Sequence, residues 1–410
     1  MKIKTLLLGT AAAFAVAGGA QAADLAVAVE PIDYVKVCDA YGAGFYYIPG
    51  TDTCLKIAGD AKLDVKIYGG DGAPEEDWSF ETEGNVAFHA NTMSDMGLVT
   101  TFIQIRGNMP FVGEDDAAPA PTIKMKKAYG AIGPVLFGYT GSAFDTGGGS
   151  AYSGDSFRGL DTDTNQLRLS YLMGTWGLVL ALEAPDYLSP GTASNDYPDL
   201  VAKITGAVGG ASLGASVKVS DQTYGTGWAA TAALGFDLGG GASFKIAGGY
   251  SSDLGQALGG AAGTGDTPAA LVDGAIALSG NTKLVATASY IDDGVVGDTG
   301  WQGAIGPHWA VTPNAEIGVE AFLFDPPGED SYYGGHVRFK TKFAAGTRSQ
   351  GDVILSGPRG DPPGIFFLGV AASPGGSWPI RQKPAPWTGV AAGLPGAADP
   401  GQSPNPAGDG

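Results

Sequence analysis

The amino-acid sequence predicts an all-β fold, specifically a 16-stranded antiparallel transmembrane β-barrel. Glycine accounts for 68 of 410 residues, well above the ~7% of an average protein, and helix interiors tolerate glycine poorly. Apolar and polar residues alternate over many segments, as in strands with one apolar and one polar face. Short turns and long loops alternate between these segments, which is typical of an outer-membrane barrel.

Residues 1–22 are predicted to be a signal peptide. Two lysines precede an apolar run over residues 6–17, and AQA at 20–22 has the small-x-small pattern of a cleavage site. The alternative is that these residues form a buried or membrane helix, but the apolar run is short for such a helix. No later apolar stretch reaches the ~18 residues of a transmembrane helix. The mature chain is therefore predicted to be either a soluble exported protein or an outer-membrane barrel, whose strands face lipid at every second residue.

Two cysteines, Cys38 and Cys54, enclose 15 residues. Disulfides persist outside the cytoplasm, so we expect these cysteines to be bonded to each other. Two free thiols are the alternative. With only two cysteines and three histidines in the chain, a zinc-finger or multi-histidine site is nearly excluded, and no metal or cofactor is predicted.

The predicted strands begin at residues 54–68, where the apolar Leu55 and Ile57 alternate with the polar Lys56. The last strand ends at Phe343 and shows the same alternation. The fourteen predicted strands between them cover 78–90, 97–108, 122–132, 135–141, 165–173, 176–184, 199–208, 212–220, 227–237, 242–250, 270–278, 282–291, 301–312 and 315–324.

The connections between these strands differ in length in a regular way. Turns of two or three residues fall at 133–134, 174–175, 279–281 and 313–314, and the long loops include 109–121, 142–164, 185–198, 251–269 and 325–333. Residues 23–343 carry 17 basic and 38 acidic side chains, a net charge of −21 that must face water. A barrel of sixteen strands is wide enough to enclose an aqueous channel.

Residues 344–410 differ in composition from the rest of the chain. They contain 11 of the 26 prolines and lack strand alternation, and proline cannot donate to a strand ladder. We interpret this segment as a mostly disordered tail, with a small ligand-binding appendage as the alternative. The predicted organisation is a signal peptide (1–22), a barrel (23–343) and a Pro/Gly-rich tail (344–410).

Several segments together resemble the general porins of alphaproteobacterial outer membranes. They are the leader MKIKTLLLGTAAA, VCDAYGAGFYYIPGTDTCLKIAG at 37–59, FGYTGSAFDT at 137–146, NQLRLSY at 165–171 and YGGHVRFKTKF at 333–343. The resemblance implies a homotrimer in the outer membrane, a third loop folded into the barrel, and a terminal Phe343 recognised by the assembly machinery. The tail after Phe343 departs from the family pattern, since such chains normally stop at that phenylalanine.

The resemblance also suggests where the pore is narrowest. The 23-residue loop 142–164 is the longest connection, and its acidic candidates for the constriction are Asp145, Asp155, Asp161 and Asp163. Basic side chains on polar strand faces are expected on the opposite wall, where the two signs would create a transverse field. The alternative is that most are ordinary solvated charges. The basic candidates are Lys56, Lys62, Lys66, Arg106, Lys124, Lys126, Arg168, Arg338 and Lys340.

Other patterns carry less information. Aromatic residues near strand ends could form interfacial girdles, or could reflect β-propensity alone. The G-x-S-x-G match at 210–214 precedes a strand, whereas a nucleophile elbow needs a helix. The Asp161–Asp163–Asn165 spacing lacks the glycine and glutamate of a calcium loop. The candidate girdle residues are Trp78, Tyr139, Trp176, Tyr250, Trp301 and Phe343.

These observations predict a passive, water-filled outer-membrane channel for small hydrophilic solutes and ions. The acidic excess predicts a weak preference for cations, and the net charge of −19 argues against a nucleic-acid partner. The expected partners are membrane lipid, further copies of the chain and the assembly machinery, and no enzymatic activity is expected. The alternatives are a substrate-selective outer-membrane channel and a soluble exported β-protein, such as an adhesin or sugar-binding module.

Overall fold

The computed structural model describes residues 36–74, 77–112, 120–153, 162–185, 197–222, 225–261 and 263–343. The predicted signal peptide and the predicted tail lie outside these ranges. None of the helices in the described ranges is long and apolar enough to cross a membrane.

Sixteen long antiparallel strands close into a barrel, which confirms the predicted fold class. Each strand pairs with its neighbours in chain order, and the last strand returns to the first long one, with Phe343 opposite Gly59 and Tyr333 opposite Gly69. A two-residue strand, β1 (Tyr46–Tyr47), precedes them. The barrel strands are β2 (Cys54–Gly69), β3 (Trp78–Ser94), β4 (Gly97–Val112), β5 (Thr122–Ile132), β6 (Val135–Gly141), β7 (Asp163–Met173), β8 (Trp176–Glu183), β9 (Asp199–Val208), β10 (Ala211–Gln222), β11 (Gly225–Gly239), β12 (Ala242–Ser252), β13 (Asp266–Ser279), β14 (Thr282–Asp293), β15 (Asp298–Thr312), β16 (Ala315–Asp325) and β17 (Tyr332–Phe343).

Several strands are longer than the alternation predicts. β3 continues to Ser94, β4 to Val112, and β13 begins at Asp266 rather than at residue 270. Backbone hydrogen bonding continues past the point where apolar residues stop alternating, because ladder pairing does not depend on side-chain polarity. The short turns lie at one rim and the long loops at the other, as predicted, with one exception: β10 and β11 are separated by only two residues at the long-loop rim.

The polarity of the two faces of the sheet is reversed relative to a soluble protein, with apolar side chains outside and polar side chains inside. On β8, Leu178, Leu180 and Leu182 are 39–59% exposed and point outward, whereas Ala181 and Glu183 point inward and are buried. The same parity holds around the barrel. An outward apolar face of this kind requires lipid as its solvent, which does not suit the soluble alternative.

Aromatic side chains lie at both ends of the strands. At the long-loop rim, the rings of Tyr290 and Trp301 are 4.6 Å apart, and Trp228 lies 5.6 Å from Tyr250. Phe343 lies at the short-turn rim, where its ring covers Gly59. The distribution matches the interfacial girdles of membrane barrels. Of the other predicted girdle residues, Trp78 and Tyr139 lie near the long-loop rim and Trp176 near the short-turn rim.

The N-terminal segment closes onto the short-turn end of β2. The predicted disulfide between Cys38 and Cys54 is confirmed, and β1 pairs with β2 at Leu55 and Cys54. This pairing occupies the edge of β2 beyond the last residue of β17. Phe45 from the same segment is buried inside the barrel, and its ring centroid is 5.2 Å from that of His89.

Candidate pore constriction

The third loop joins β6 to β7 over residues 142–162, and its described part folds into the barrel. Its described part, 142–153, runs along the inner wall and forms at least one hydrogen bond with every strand from β8 to β17. The wall residues that make these bonds are Glu183, Lys203, Ser216, Thr231, Lys245, Asp273, Thr287, Gln302, Glu320 and His336. The hydrogen bonds just named therefore join the described part of the loop to ten strands, and none of them reaches the inner faces of β2–β7.

Three inward carboxylates hold the loop by accepting hydrogen bonds from its backbone. Glu183 accepts from the Ala143 amide at 2.6 Å, and Asp273 accepts from the Ser150 amide at 2.6 Å. Glu320 accepts from the amides of Tyr152 and Ser153 at 2.7 and 3.0 Å. Hydrogen bonds to an ionised acceptor are roughly twice as strong as neutral ones, so these acids are strong anchors.

Inward lysines hold the loop through its carbonyl oxygens. Lys203 donates to the carbonyl of Asp145. Lys245 donates to the carbonyls of Gly147 and Gly148, the latter at 2.7 Å. Acids bind the loop's donors and lysines bind its acceptors, so the inner wall fixes both kinds of backbone group. A loop lying inside a barrel needs such partners, because it has no regular secondary structure to pair its backbone N–H and C=O groups.

The Tyr152 ring anchors the far end of the described loop. It stacks on the His308 ring with 4.1 Å between the ring centroids. The guanidinium of Arg338, a residue of β17, lies 4.1 Å from the centroid of the tyrosine ring. Its hydroxyl donates to Glu316. Burial, and then the nearby Glu316 carboxylate, raise the pKa of Tyr152. Gly318 makes the contact possible, since a Cβ there would lie 2.3 Å from the tyrosine ring.

The wall left uncovered by the described loop carries the predicted basic residues, but paired with acids. Lys62 lies 3.5 Å from Glu83 and 3.6 Å from Asp64, and Arg106 lies 3.4 Å from Glu83. On β17, Arg338 pairs with Asp64 at 2.5 Å and Lys340 with Asp60 at 3.7 Å. The wall is therefore a mixed-charge surface with a basic surplus rather than a purely basic one.

The remaining basic candidates occupy different places. Lys66 and Lys124 are on inward positions of β2 and β5, opposite His336 and Arg106 in the neighbouring strands. Arg168 points inward from β7 and donates to the carbonyl of Gly141 at 2.6 Å. Lys56 is only 7% exposed and lies at the short-turn end, 5.6 Å from the Phe45 ring, away from the third loop.

The predicted acids of the third loop are only partly described. Asp145 lies in the loop, where its carboxylate accepts from the Gly147 amide at 2.5 Å. Asp163 is the first residue of β7 rather than a loop residue, and it forms an ion pair with Lys126. Asp155 and Asp161 lie outside the described residues.

Sequence reasoning missed most of the residues that hold the loop. Their signal was present, since Glu183, Lys203 and Lys245 fall on polar strand faces, but alternation does not say which lumenal residues a loop will cover. His308 and His336 contact Glu320 and Asp64 at 2.7 and 2.9 Å, and no pattern in the sequence indicates these partners. In the described ranges, no group of three His, Cys, Asp or Glu side chains is arranged to hold a metal ion.

Similarity to known proteins agrees with this architecture. Porin Omp2a of Brucella ovis is 49% identical over 114 residues, which cover 26% of this chain and 32% of that protein. This chain thus spans about a third of the length of the curated relatives it matches. The outer-membrane channel DcaP of Acinetobacter baumannii shares the fold with a TM-score of 0.59 at 18% identity, over 72% of this chain and 99% of that one.

A second solved structure, the trimer form of in-vitro folded OmpT of Vibrio cholerae, has a TM-score of 0.50 at 12% identity, over 72% of this chain and 100% of that one. Residues 24–326 match the family described as "Porin subfamily". That match covers well over half of the chain and agrees with the closed barrel and its apolar outer face. The chain therefore belongs to the porin subfamily of outer-membrane β-barrels.

Proposed function

We propose that this protein is a passive, water-filled channel through which small hydrophilic solutes and ions cross the outer membrane. The observation that carries the proposal is the third loop, whose described part is bonded to ten strands and makes none of these bonds to the charged wall on β2–β7. A closed barrel of sixteen strands has room for an aqueous lumen. The loop narrows that lumen from the side of β8–β17.

The chemistry of the narrow region favours small polar solutes. Lys62, Arg106 and Arg338 alternate with Asp64 and Glu83 along the uncovered wall. Polar solutes and water orient in the field of such a wall, whereas a bulky or apolar solute loses hydration without replacement. We propose that Asp145 of the third loop contributes to the opposite side of this field.

The channel is proposed to prefer cations weakly. Residues 23–343 carry a net charge of −21, whereas most basic residues of the strands point into the lumen. Acids at the mouth attract cations, and the lumenal lysines and arginines oppose their passage. The two effects partly cancel, which is the reason for a weak rather than a strong preference.

We further propose a homotrimer inserted by the outer-membrane assembly machinery, with residues 1–22 removed and Phe343 as the terminal-strand signal. The outward apolar face supports membrane insertion, and the position of Phe343 at the end of β17 suits a recognition signal. The trimer form of the Vibrio cholerae protein supports a trimer by analogy of fold.

Planar-bilayer recording tests the proposal. The purified full chain should produce stepwise ohmic openings, and a salt gradient should give a small reversal potential of the sign that marks cation preference. An anion-selective reversal potential would refute the selectivity. Silence from protein that is folded in detergent would refute the channel itself.

A further inference from the structure

The sixth loop joins β12 to β13 over residues 253–265, and its described residues, 253–261 and 263–265, also lie inside the barrel. It contains a short 3-10 turn, Gly255–Leu258. Leu254, Ala257 and Leu258 are buried in one apolar cluster with residues of the third loop and the inner wall. An apolar cluster is unexpected in a water-filled lumen, because inward positions of a pore normally contact water.

The cluster joins the two loops and the wall into one packed unit. Phe144 and Ala143 come from the third loop, and the wall supplies small or branched residues at inward positions. Leu258 is 0% exposed and Phe144 is 2% exposed, so neither side chain contacts the lumenal water. The wall residues of the cluster are Val179, Ala181, Val201, Ala229, Ala269 and Leu271.

The wall is shaped to receive the sixth loop. Gly249 on β12 points inward, and a Cβ at this position would lie 2.8 Å from Leu258 Cδ2. Gly227 on β11 likewise leaves room for Leu254, because a Cβ at position 227 would lie 3.1 Å from the Cβ of Leu254. Real Cβ atoms do not approach carbon atoms as closely as 2.8 Å, so a side chain at 249 would force the Leu258 side chain to move.

Both ends of the sixth loop are also tied together. The Asp253 amide donates to the carbonyl of Gly265 at 2.9 Å, and the Asp253 carboxylate accepts from the Gly265 amide at 2.9 Å. Asp293 on β14 accepts from the Ala261 amide at 2.6 Å. The loop is thus held at its base, at its middle through Leu258, and on its far side.

We infer that the sixth loop is a second constriction element, in which Leu258 acts as a wedge that fixes the third loop and sets the size limit of the channel. This inference rests on the proposed channel function. The wedge closes the lumen on the β8–β13 side, so solutes are confined to the charged side along β2–β7. Leu258 touches no solute and is therefore a positioning residue for size selection.

Two variants test the wedge by conductance and by the size of sugars that permeate liposomes. Leu258→Ser removes the apolar contact, and a Gly/Ser replacement of residues 255–261 removes the wedge without altering the wall. Each should raise single-channel conductance by about half and admit larger sugars. Leu136→Ser is the matched control, since Leu136 is also a buried lumenal leucine (1% exposed) but packs against Tyr129 instead of the loops.

A labelling experiment tests the docking of the loop without requiring conduction. In the full chain, Leu258→Cys should resist a water-soluble maleimide, whereas Val296→Cys, at a position 47% exposed in the β14–β15 loop, should react rapidly. Equal labelling rates would overturn the inference, as would unchanged conductance and size limit in both wedge variants. If the unaltered chain forms no channels, the proposed function fails, and the labelling rates still decide whether the wedge is docked.

Discussion

At the scale of single residues, Glu320 links the third loop to the wall. Its carboxylate accepts from two loop amides and lies 2.7 Å from His308 Nε2. A carboxylate offers two acceptor oxygens, whereas an amide offers one and points a donor at its neighbours. Glu320 is therefore the side chain that binds both backbone amides at the loop end near Tyr152.

Replacing Glu320 by glutamine tests that role. Hydrogen bonds to charged groups contribute about 1.5–3 kcal/mol each, and the variant weakens several of them. We expect the third loop to loosen, with larger open-channel current fluctuations in bilayer recordings. Glu329→Gln, at an exposed site in the β16–β17 loop, is the control and should leave the fluctuations unchanged. Identical traces from the two variants would contradict the anchoring role.

Asp253 is a second residue with a local role, at the base of the sixth loop. Its φ of 54° is in the left-handed region, where Asp and Asn are better tolerated than other non-glycine residues. Asp253→Ala should lower stability by about 1–2 kcal/mol through lost backbone preference and the lost bond to Gly265. Asp253→Asn keeps both features and should unfold near the temperature of the unaltered protein. Thermal unfolding in detergent measures this difference, and equal losses in both variants would argue against it.

At the scale of elements, the N-terminal segment depends on its disulfide. β1 pairs with β2 through only two residues, and Phe45 is its main buried side chain in the barrel. Such a short strand is marginal by itself. A disulfide closing a loop of this size contributes about 3 kcal/mol in the chain-entropy description.

The double variant Cys38→Ser/Cys54→Ser should therefore release the segment and leave the barrel closed. Limited proteolysis followed by mass spectrometry should show new cleavage between residues 37 and 53. Heat-modifiable migration on gels should be retained, because β2–β17 pair without the segment's help. Protection of the segment in the variant would show that Phe45 and β1 suffice to hold it.

At the scale of the whole molecule, the tail raises a question of assembly. The barrel closes through β17 pairing with β2, and the chain continues for residues 344–410 beyond the proposed terminal signal. If free Phe343 is the signal, the tail hinders insertion. We expect residues 23–343 to insert into outer membranes more efficiently than residues 23–410, with equal single-channel conductance. Membrane fractionation followed by bilayer recording compares them, and equal insertion would show that the signal does not need a free end.

The barrel itself was accessible from the sequence because strand alternation is a local property. The eight residues of a segment such as β8 are enough to show which of its side chains face lipid. The lengths of the connections then order the strands, since antiparallel neighbours joined by short turns must pair. The disulfide was accessible too, because two cysteines in an exported chain have few alternatives. The strand ends were less accurate, as the longer β3 and β4 show.

The constriction was accessible only in outline. The third loop and the charged wall could be named from length, composition and resemblance, but their partners could not. Ser153 and His336 are 183 residues apart, and Ser150 and Asp273 are 123 apart. No local pattern encodes contacts over such distances. The inward fold of the sixth loop also left no periodic signal, because its docking depends on hollows at Gly249 and Gly227.

The sequence by itself determined the strand count and the alternation of apolar and polar strand faces, and it predicts that the chain is exported. Those features follow from period-two patterning and from residues close together in the chain. The tertiary structure alone decided which lumenal charged side chains pair with each other. It also decided which of them bind the backbone of a loop and which of them face the open lumen. The physical reason is that closure of the barrel brings ten strands within hydrogen-bond reach of one twelve-residue stretch of loop, and only that closure creates the partners.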